Sequence, residues 1–270
     1  MPLLVTPQGV IHYETYGRGR PVLLLHGWLG SWRLWRRTIE DLGKEFRTYA
    51  IDFWGFGELG DQGADFSVDN FVTLVNQFMD RLGIVKAPMI GHSMGGTVSL
   101  SSAIRYPEKV VKVTVIGSPI VGTSLSPLLK MAGHRGWMGL AETAPFLFDT
   151  FMSGLKTSLR GYSYLLSKDG KTLSQMFQDD LSKLTVGPFF ESIATLRQTD
   201  LRPRIGEIKL PVQGIYGAKD LIVSPRQNKV LKQYLPHSQI DWFEKSGHFP
   251  MLDEPERFHQ AVRDFLNKST

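Results

Sequence analysis

The sequence predicts an α/β protein with a mostly parallel central sheet, flanked by helices and interrupted by a helical insertion. Short apolar runs suited to buried strands alternate with longer segments whose apolar residues recur at helical spacing. This alternation stops near residue 120 and returns after residue 204. We therefore expect a core domain made of residues 1–119 and 205–270, and a helical cap made of residues 120–204.

Strands and helices alternate in the first part of the chain. Residues 10–16 alternate in character, as a strand does, and residues 22–25 form a continuous apolar run typical of a strand buried on both faces. Ser31 is a suitable cap for a following helix, and Pro107 ends the helix that starts near residue 95. The remaining predicted elements are strands at 46–51, 89–90 and 110–116 and a helix at 71–82.

The insertion is rich in methionine, phenylalanine and leucine and is punctuated by Pro127, Pro145 and Pro188, which indicates a mostly helical segment. A lid over a cleft needs apolar surface on two sides, so some of its aromatic side chains should face a ligand. After the insertion we expect strands at 212–217 and 239–243 and helices at 225–235 and 255–266.

Composition excludes several classes of protein. The chain has 270 residues, 42% of them hydrophobic, and no cysteine, which rules out disulfides, thiolate catalysis and cysteine-bound metals. Its 31 basic residues are spread along the chain despite a net charge of +5, so we expect no nucleic-acid partner. Its first residues lack a basic segment followed by a long apolar one, so we expect no leader. We also expect a cytoplasmic monomer or homodimer without stable membrane insertion, cofactor or metal.

Residues 91–96 read Gly-His-Ser-Met-Gly-Gly and fit the Gly-x-Ser-x-Gly turn that exposes a serine between a strand and a helix. A short strand precedes the turn and a helical pattern follows it, which is the context this motif requires. Ser93 would stand at a helix N-terminus, where free N–H groups favour negative charge. His26 and Asp52 also follow predicted strands, so all three side chains should line one edge of the sheet.

Five motifs appear in order, each after a predicted strand: His-Gly-Trp at 26–28, Asp-Phe-Trp-Gly-Phe-Gly at 52–57, the serine turn, Gly-Ala-Lys-Asp at 217–220 and Gly-His-Phe-Pro at 247–250. In these motifs the chain resembles the α/β-hydrolase fold superfamily, in particular capped serine hydrolases such as carboxylesterases and meta-cleavage-product hydrolases. Many relatives have a serine near the end of the second motif, where this chain has Glu58.

A serine hydroxyl needs a base within hydrogen-bond reach, normally a histidine, and the resulting imidazolium needs a carboxylate to orient it. Ser93, Asp220 and His248 satisfy the serine, acid, histidine order associated with this fold. The resemblance makes Asp52, the rival acid, mainly structural. The oxyanion donors should be the backbone N–H groups of Trp28 and Met94.

His248 competes with six other histidines for the role of base. We expect surface or packing roles for His12, His237 and His259, and the resemblance makes His26 and His92 supports of the oxyanion loop and the serine turn. His134 lies in the insertion and is a candidate substrate contact. The other expected substrate contacts are Trp28, Trp137, Phe146 and Phe249.

The leading hypothesis is a serine hydrolase that cleaves carboxylic esters of small to medium hydrophobic substrates through an acyl-enzyme. A carbon–carbon bond (meta-cleavage product) hydrolase, a lactonase or a perhydrolase would use the same triad; in the first case Arg160 or Arg197 would bind the substrate carboxylate. Epoxide hydrolases and haloalkane dehalogenases use aspartate at the turn, so Ser93 argues against both. A non-catalytic ligand receptor is a further alternative. An oxidoreductase is disfavoured, because no Gly-x-Gly-x-x-Gly sequence both follows a strand and opens a helix.

Overall fold

The strands were identified in a computed structural model that describes residues 2–60, 65–132, 139 and 143–268. They are β1 (Leu3–Thr6), β2 (Gly9–Tyr16), β3 (Pro21–Leu25), β4 (Arg47–Ile51), β5 (Ala87–His92), β6 (Val110–Ile116), β7 (Val212–Gly217) and β8 (Gln239–Phe243). They form one sheet of eight strands in the order β1-β2-β4-β3-β5-β6-β7-β8. The pairs β1–β2 and β2–β4 are antiparallel and every other pair is parallel.

The helices have recognisable sequence boundaries. They are α1 (Arg36–Leu42), α2 (Val68–Arg81), α3 (Met94–Arg105), α4 (Pro127–Ala132), α5 (Pro145–Leu166), α6 (Gly170–Leu181), α7 (Val186–Gln198), α8 (Arg202–Ile205), α9 (Gln227–Tyr234), α10 (Pro250–Asp253) and α11 (Pro255–Asn267). Short 3-10 helices span Trp32–Trp35 and Gly122–Ser124. Ser67 caps α2 by accepting from the Asn70 N–H at 3.1 Å. Ser31 caps a 3-10 helix, so α1 begins later than the cap suggests.

Each face of the sheet carries its own apolar core. Leu23 and Leu25 of β3 pack in one buried cluster with residues of α2 and α3. Val22 and Leu24, which point to the opposite face, pack in a second cluster with residues of α1 and α11. A strand buried on both faces must be apolar throughout, which explains the unbroken apolar run of β3. These two layers of helices confirm the predicted fold class.

Between Ile116 and Val212 the described residues form helices and no strand of the sheet, apart from single bridges such as Val121–Asp200. These helices contact the carboxyl edge of the sheet. Phe189 of α7 packs on Trp28, with ring centroids 4.9 Å apart, and Phe177 of α6 packs on Phe249, at 6.3 Å. The division into a core of residues 1–119 and 205–270 and a cap of residues 120–204 stays a prediction. In the described ranges, no helix has the length and apolar character needed to cross a membrane.

Candidate active site

Ser93 lies in a sharp turn between β5 and α3. Its φ of +50° and ψ of −118° place it in a region that non-glycine residues rarely adopt. Its N–H donates to the carbonyl of Ile116 at 2.8 Å, and its own carbonyl accepts from Gly96 and Thr97 in the first turn of α3. This strained backbone presents the Ser93 side chain beyond the carboxyl edge of the sheet.

The glycines of the serine turn allow a close approach of backbone on two sides. A Cβ on Gly91 would lie 2.2 Å from the carbonyl oxygen of Gly95. A Cβ on Gly95 would lie 2.2 Å from the carbonyl oxygen of Leu25, at the end of β3. The turn can therefore form only because both positions lack a side chain.

Asp220 and His248 form a buried pair next to this turn. The Nδ1–H of His248 donates to Oδ2 of Asp220 at 2.7 Å. The other carboxylate oxygen, Oδ1, accepts from the N–H groups of Ile222 and Val223 at 2.8 and 2.9 Å. Both carboxylate oxygens are thus fixed, and His248 is held in the tautomer whose Nε2 can accept a proton.

Ser93 and His248 line the same cavity, and both are largely buried. The described residues show no hydrogen bond between the Ser93 hydroxyl and His248. Such bonds between nucleophile and base are often long before a substrate binds. The structure therefore brings the three predicted residues, all within its described ranges, close together, with a hydrogen bond between Asp220 and His248 and none between His248 and Ser93.

Asp52, the rival acid, is occupied elsewhere. Its Oδ2 accepts from Nδ1–H of His12 at 2.7 Å and from the N–H of Glu58 at 3.1 Å. Its Oδ1 accepts from the N–H of Trp32 at 2.7 Å. Asp52 thus holds together β2, the loop after β4 and the 3-10 helix at Trp32–Trp35. No motif in the sequence indicates the buried contact with His12.

Two further histidines support the site as neutral rings. His26 accepts from the N–H of Phe53 at 3.0 Å through Nε2 and donates through Nδ1–H to the carbonyl of Gly27 at 2.7 Å. Burial lowers the pKa of His26. His92 donates from Nε2–H to the carbonyl of His248 at 2.9 Å. Burial, and secondarily the charge of His248, hold the pKa of His92 well below its ordinary value.

The expected oxyanion donors, the N–H groups of Trp28 and Met94, both belong to backbone close to Ser93. Met94 is the first residue of α3, so its N–H has no acceptor within the helix. Trp28 follows Gly27, on which a Cβ would stand 3.0 Å from Cβ of Ser93. In the described part of the chain, neither N–H donates to another backbone group. Both are therefore available for the oxygen of a substrate.

The loop that carries Trp28 is strained in a way the sequence did not indicate. Leu29 has a φ of +58°, and Ser93 is the other described non-glycine residue with a positive φ. Such a conformation persists only where its surroundings enforce it. The indole N–H of Trp28 donates to the carbonyl of Phe189 at 3.0 Å, which ties this loop to α7.

A cavity of about 530 Å³ opens over Ser93 and His248. Its wall is almost wholly apolar, and Ser126 and Tyr162 are its polar side chains besides His92, Ser93 and His248. Among the described residues, no Asp, Glu, Lys or Arg lines it. The volume is in the usual range of roughly 300–1,000 Å³ for a small-molecule site. The cavity suits an uncharged, apolar group.

The structure places two of the five expected substrate contacts in the cavity wall. Trp28 and Phe249 line the cavity. Phe146 does not line it, because its side chain in the first turn of α5 is 68% exposed. Phe151 lines the cavity instead. It lies five residues after Phe146, and five residues of an α-helix rotate the side-chain direction by about 140°. His134 and Trp137 lie outside the described residues. In the described ranges, no three His, Asp or Glu side chains are grouped to hold a metal ion.

An eight-stranded, mostly parallel sheet with a serine in a strained strand-to-helix turn defines the class of protein. The chain belongs to the alpha/beta hydrolase fold family, whose model matches residues 20–255.

Several known proteins are similar over almost the whole chain. A pimeloyl-[acyl-carrier protein] methyl ester esterase from Vibrio campbellii is 28% identical over 94% of this chain and 98% of its own length. An esterase from Exiguobacterium antarcticum superposes with a TM-score of 0.82 at 20% identity, covering 98% of this chain and 99% of its own. An enol-lactonase from Burkholderia xenovorans superposes with a TM-score of 0.78 at 21% identity, covering 99% and 100%. These structural likenesses support the fold.

Proposed function

We propose that the protein is a serine hydrolase that cleaves carboxylic esters with a small to medium apolar group through an acyl-enzyme intermediate. The observation that carries the proposal is the strained Ser93 turn, which faces the same cavity as the buried Asp220–His248 pair. Membership of the hydrolase family and the esterase names of the relatives support hydrolysis of an ester as the reaction class.

In the proposed mechanism Ser93 Oγ attacks the ester carbonyl carbon while Nε2 of His248 takes the hydroxyl proton. The oxygen that becomes negatively charged accepts from the N–H groups of Trp28 and Met94. His248 then gives its proton to the departing alkoxide, and the alcohol leaves an acyl group on Ser93. A water molecule, deprotonated by His248, attacks the acyl carbon, and the acid is released with Ser93 restored.

The cavity wall supports uncharged substrates. A carboxylate in this cavity would lose its hydration without meeting a cation among the described lining residues, which is costly. Arg160 and Arg197, the candidates for binding the carboxylate of a meta-cleavage product, do not line the cavity. Arg160 is exposed and donates to Gln178 at 3.2 Å. The cavity therefore favours an ester over the carbon–carbon bond substrate.

Within the ester class, we propose methyl esters of medium-length acyl chains as the first natural substrates to test. The relative from Vibrio campbellii is named for a methyl ester on an acyl-carrier-protein-bound chain. An apolar cavity of about 530 Å³ can hold the alkyl part of such a chain.

The test is hydrolysis of a p-nitrophenyl ester series from acetyl to palmitoyl by the wild type, Ser93→Ala and Ser102→Ala. Ser102 lies on the same helix as the turn and donates to the carbonyl of Val98 at 2.9 Å, so it is a matched control. We expect a rate that peaks at one chain length, is lost in Ser93→Ala and is kept in Ser102→Ala. Undiminished turnover by Ser93→Ala would refute the mechanism. No wild-type activity above Ser93→Ala would direct the search to vinylogous diketone acids.

A further inference from the structure

Glu58 accepts hydrogen bonds from three side chains. Its carboxylate accepts from Nζ of Lys183 at 2.5 Å, from Nε1–H of Trp32 at 3.3 Å and from Arg33. Its side chain is only 10% exposed. Burial alone would raise the pKa of Glu58, but the hydrogen bonds of Lys183 and Trp32 and the charge of Arg33 lower it to about 2. Glu58 is therefore a fixed negative charge at neutral pH.

Arg33 connects Glu58 to the helical insertion. Its Nη2 donates to Glu58, and its Nη1 donates to Oδ1 of Asp180 on α6 at 3.2 Å. Asp180 has a side chain that is only 4% exposed, and its Oδ2 has no hydrogen-bond partner. With Lys183 just beyond α6, the four side chains form one cluster, which we name the Arg33 cluster: Arg33, Glu58, Asp180 and Lys183.

The cluster borders the loop that carries Trp28. Arg33 belongs to the 3-10 helix Trp32–Trp35, which directly follows that loop, and its N–H donates to Oγ of Ser31 at 3.3 Å. Between Trp28 and this helix lies Leu29 with its φ of +58°. A strained backbone conformation persists only where the surrounding structure enforces it. The carbonyl of Phe189 holds Trp28 at one end, and the Arg33 cluster, together with the Asp52 carboxylate that accepts from the N–H of Trp32, holds the other.

We propose that Arg33, Glu58 and Asp180 are positioning residues that fix the backbone N–H of Trp28 toward the oxyanion formed on Ser93. This inference rests on the proposed ester hydrolysis. Arg33 suits the task because its planar guanidinium directs different N–H groups to two carboxyl groups at once. A lysine has a single nitrogen and cannot bridge them in the same way. Because the cluster links Asp180 of α6 to Arg33, it also fixes α6 relative to the loop that carries Trp28.

The test compares Arg33→Met, Asp180→Leu and Asp180→Asn with the wild type on the preferred p-nitrophenyl ester. Removal of a whole oxyanion donor costs about 10²–10³ in kcat, so a displaced Trp28 N–H should cost roughly tenfold. We expect that loss in Arg33→Met and Asp180→Leu, with KM within about twofold. Asp180→Asn keeps an oxygen that accepts from Arg33 and should retain the wild-type kcat.

The matched control is Glu207→Gln, which breaks the exposed ion pair between Glu207 and Arg204, whose N···O distance is 2.9 Å. Neither residue lines the cavity. It should change neither kcat nor KM. Wild-type kcat in Arg33→Met would overturn the proposal. So would a raised KM or a shifted chain-length preference at unchanged kcat, because the cluster would then shape the cavity and not the oxyanion site.

A second readout does not depend on turnover. In protein labelled with ¹⁵N-tryptophan, the backbone amide signal of Trp28, assigned with Trp28→Phe, reports the position of the N–H that the cluster is proposed to fix. Arg33→Met should shift this signal and Glu207→Gln should not. If the wild type hydrolyses no ester above Ser93→Ala, the proposed function fails, whereas an unmoved Trp28 signal in Arg33→Met refutes the positioning role itself.

Discussion

Asp52 and Asp220 both follow a strand of the parallel sheet, and their hydrogen-bond partners separate their roles. Asp220 accepts from the Nδ1–H of His248 on the cavity side. Asp52 accepts from the side chain of His12 and from backbone N–H groups. The first carboxylate can orient a base, whereas the second holds loops together.

Asp220→Asn should therefore lower kcat for esters by roughly 10⁴-fold, because it no longer holds His248 in the required tautomer. Asp52→Asn should instead lower Tm while keeping at least about a tenth of the wild-type kcat per folded molecule. Steady-state kinetics and thermal unfolding by circular dichroism measure both effects. The reverse pattern, with Asp52→Asn inactive and Asp220→Asn active, would exchange the two roles.

Asp180 should make stability depend on pH. Burial raises the pKa of its carboxyl to about 7, although Ser31 and Arg33 act in the opposite direction. The folded state thus keeps a proton that the unfolded chain loses near its ordinary pKa of 3.8, and stability falls as pH rises between these values. Each pKa unit is worth about 1.4 kcal/mol, so full ionisation of Asp180 costs the folded state on the order of 4 kcal/mol.

Asp180→Asn removes this titration. Urea unfolding at pH values from 5 to 8 should show the variant gaining free energy of unfolding relative to the wild type as pH rises. A difference that is constant over the range would contradict the raised pKa of Asp180.

The residues of the proposed triad could be selected from the sequence because each stands in a short motif at the end of a strand. The contacts of Asp52 with His12 and of Arg33 with Asp180 could not, since they join residues 40 and 147 positions apart. The strained backbone of Leu29 could not be predicted for another reason. Its positive φ follows from how the loop is held and not from its residue type.

At the scale of elements, the turn between β5 and α3 depends on close backbone contacts. Gly95 lies against the last residue of β3, where a Cβ would meet a carbonyl oxygen at 2.2 Å. Backbone atoms cannot move aside as a flexible side chain can. Gly154 in α5 is the opposite case, because a Cβ there would meet nothing within 4 Å.

Gly95→Ala should lower Tm strongly and reduce the yield of folded protein, since the clash displaces β3 or α3. Gly154→Ala should raise the stability by about 1 kcal/mol, because alanine favours a helix over glycine. Thermal unfolding of the two variants tests this. Equal Tm values would mean that the turn tolerates a side chain and is not packed as described.

Most strands and helices could be predicted, because buried strands read as apolar runs and helices as apolar stripes. β1 was missed, since Leu3 and Val5 are exposed and give no such pattern. Between β6 and β7 the sequence predicts a mostly helical segment, but not where each helix begins and ends. Their aromatic residues pack on each other, pack on the core or line the cavity. The sequence does not show which of these places a given aromatic residue takes.

At the scale of the molecule, the parallel sheet brings distant motifs to one edge, and the helices after β6 cover the cavity at that edge. The cavity's size should therefore set the acyl chain length. Leu155→Trp adds bulk to the cavity wall and should move the preferred p-nitrophenyl ester to a shorter chain. Leu165→Trp, on the same helix but 70% exposed, is the control and should leave the preference unchanged. An unchanged preference in Leu155→Trp would place the acyl group outside this cavity.

The central claim is that Ser93 is a nucleophile activated by His248, and labelling with a fluorophosphonate tests it most directly. In this reaction the serine oxygen bonds to phosphorus and fluoride leaves, so intact mass spectrometry counts the modified sites. We expect one label on the wild type, located at Ser93 by peptide mapping, no label on Ser93→Ala and strongly slowed labelling of His248→Ala. A wild type that stays unlabelled, or a Ser93→Ala variant that is labelled as fast as the wild type, would contradict the account.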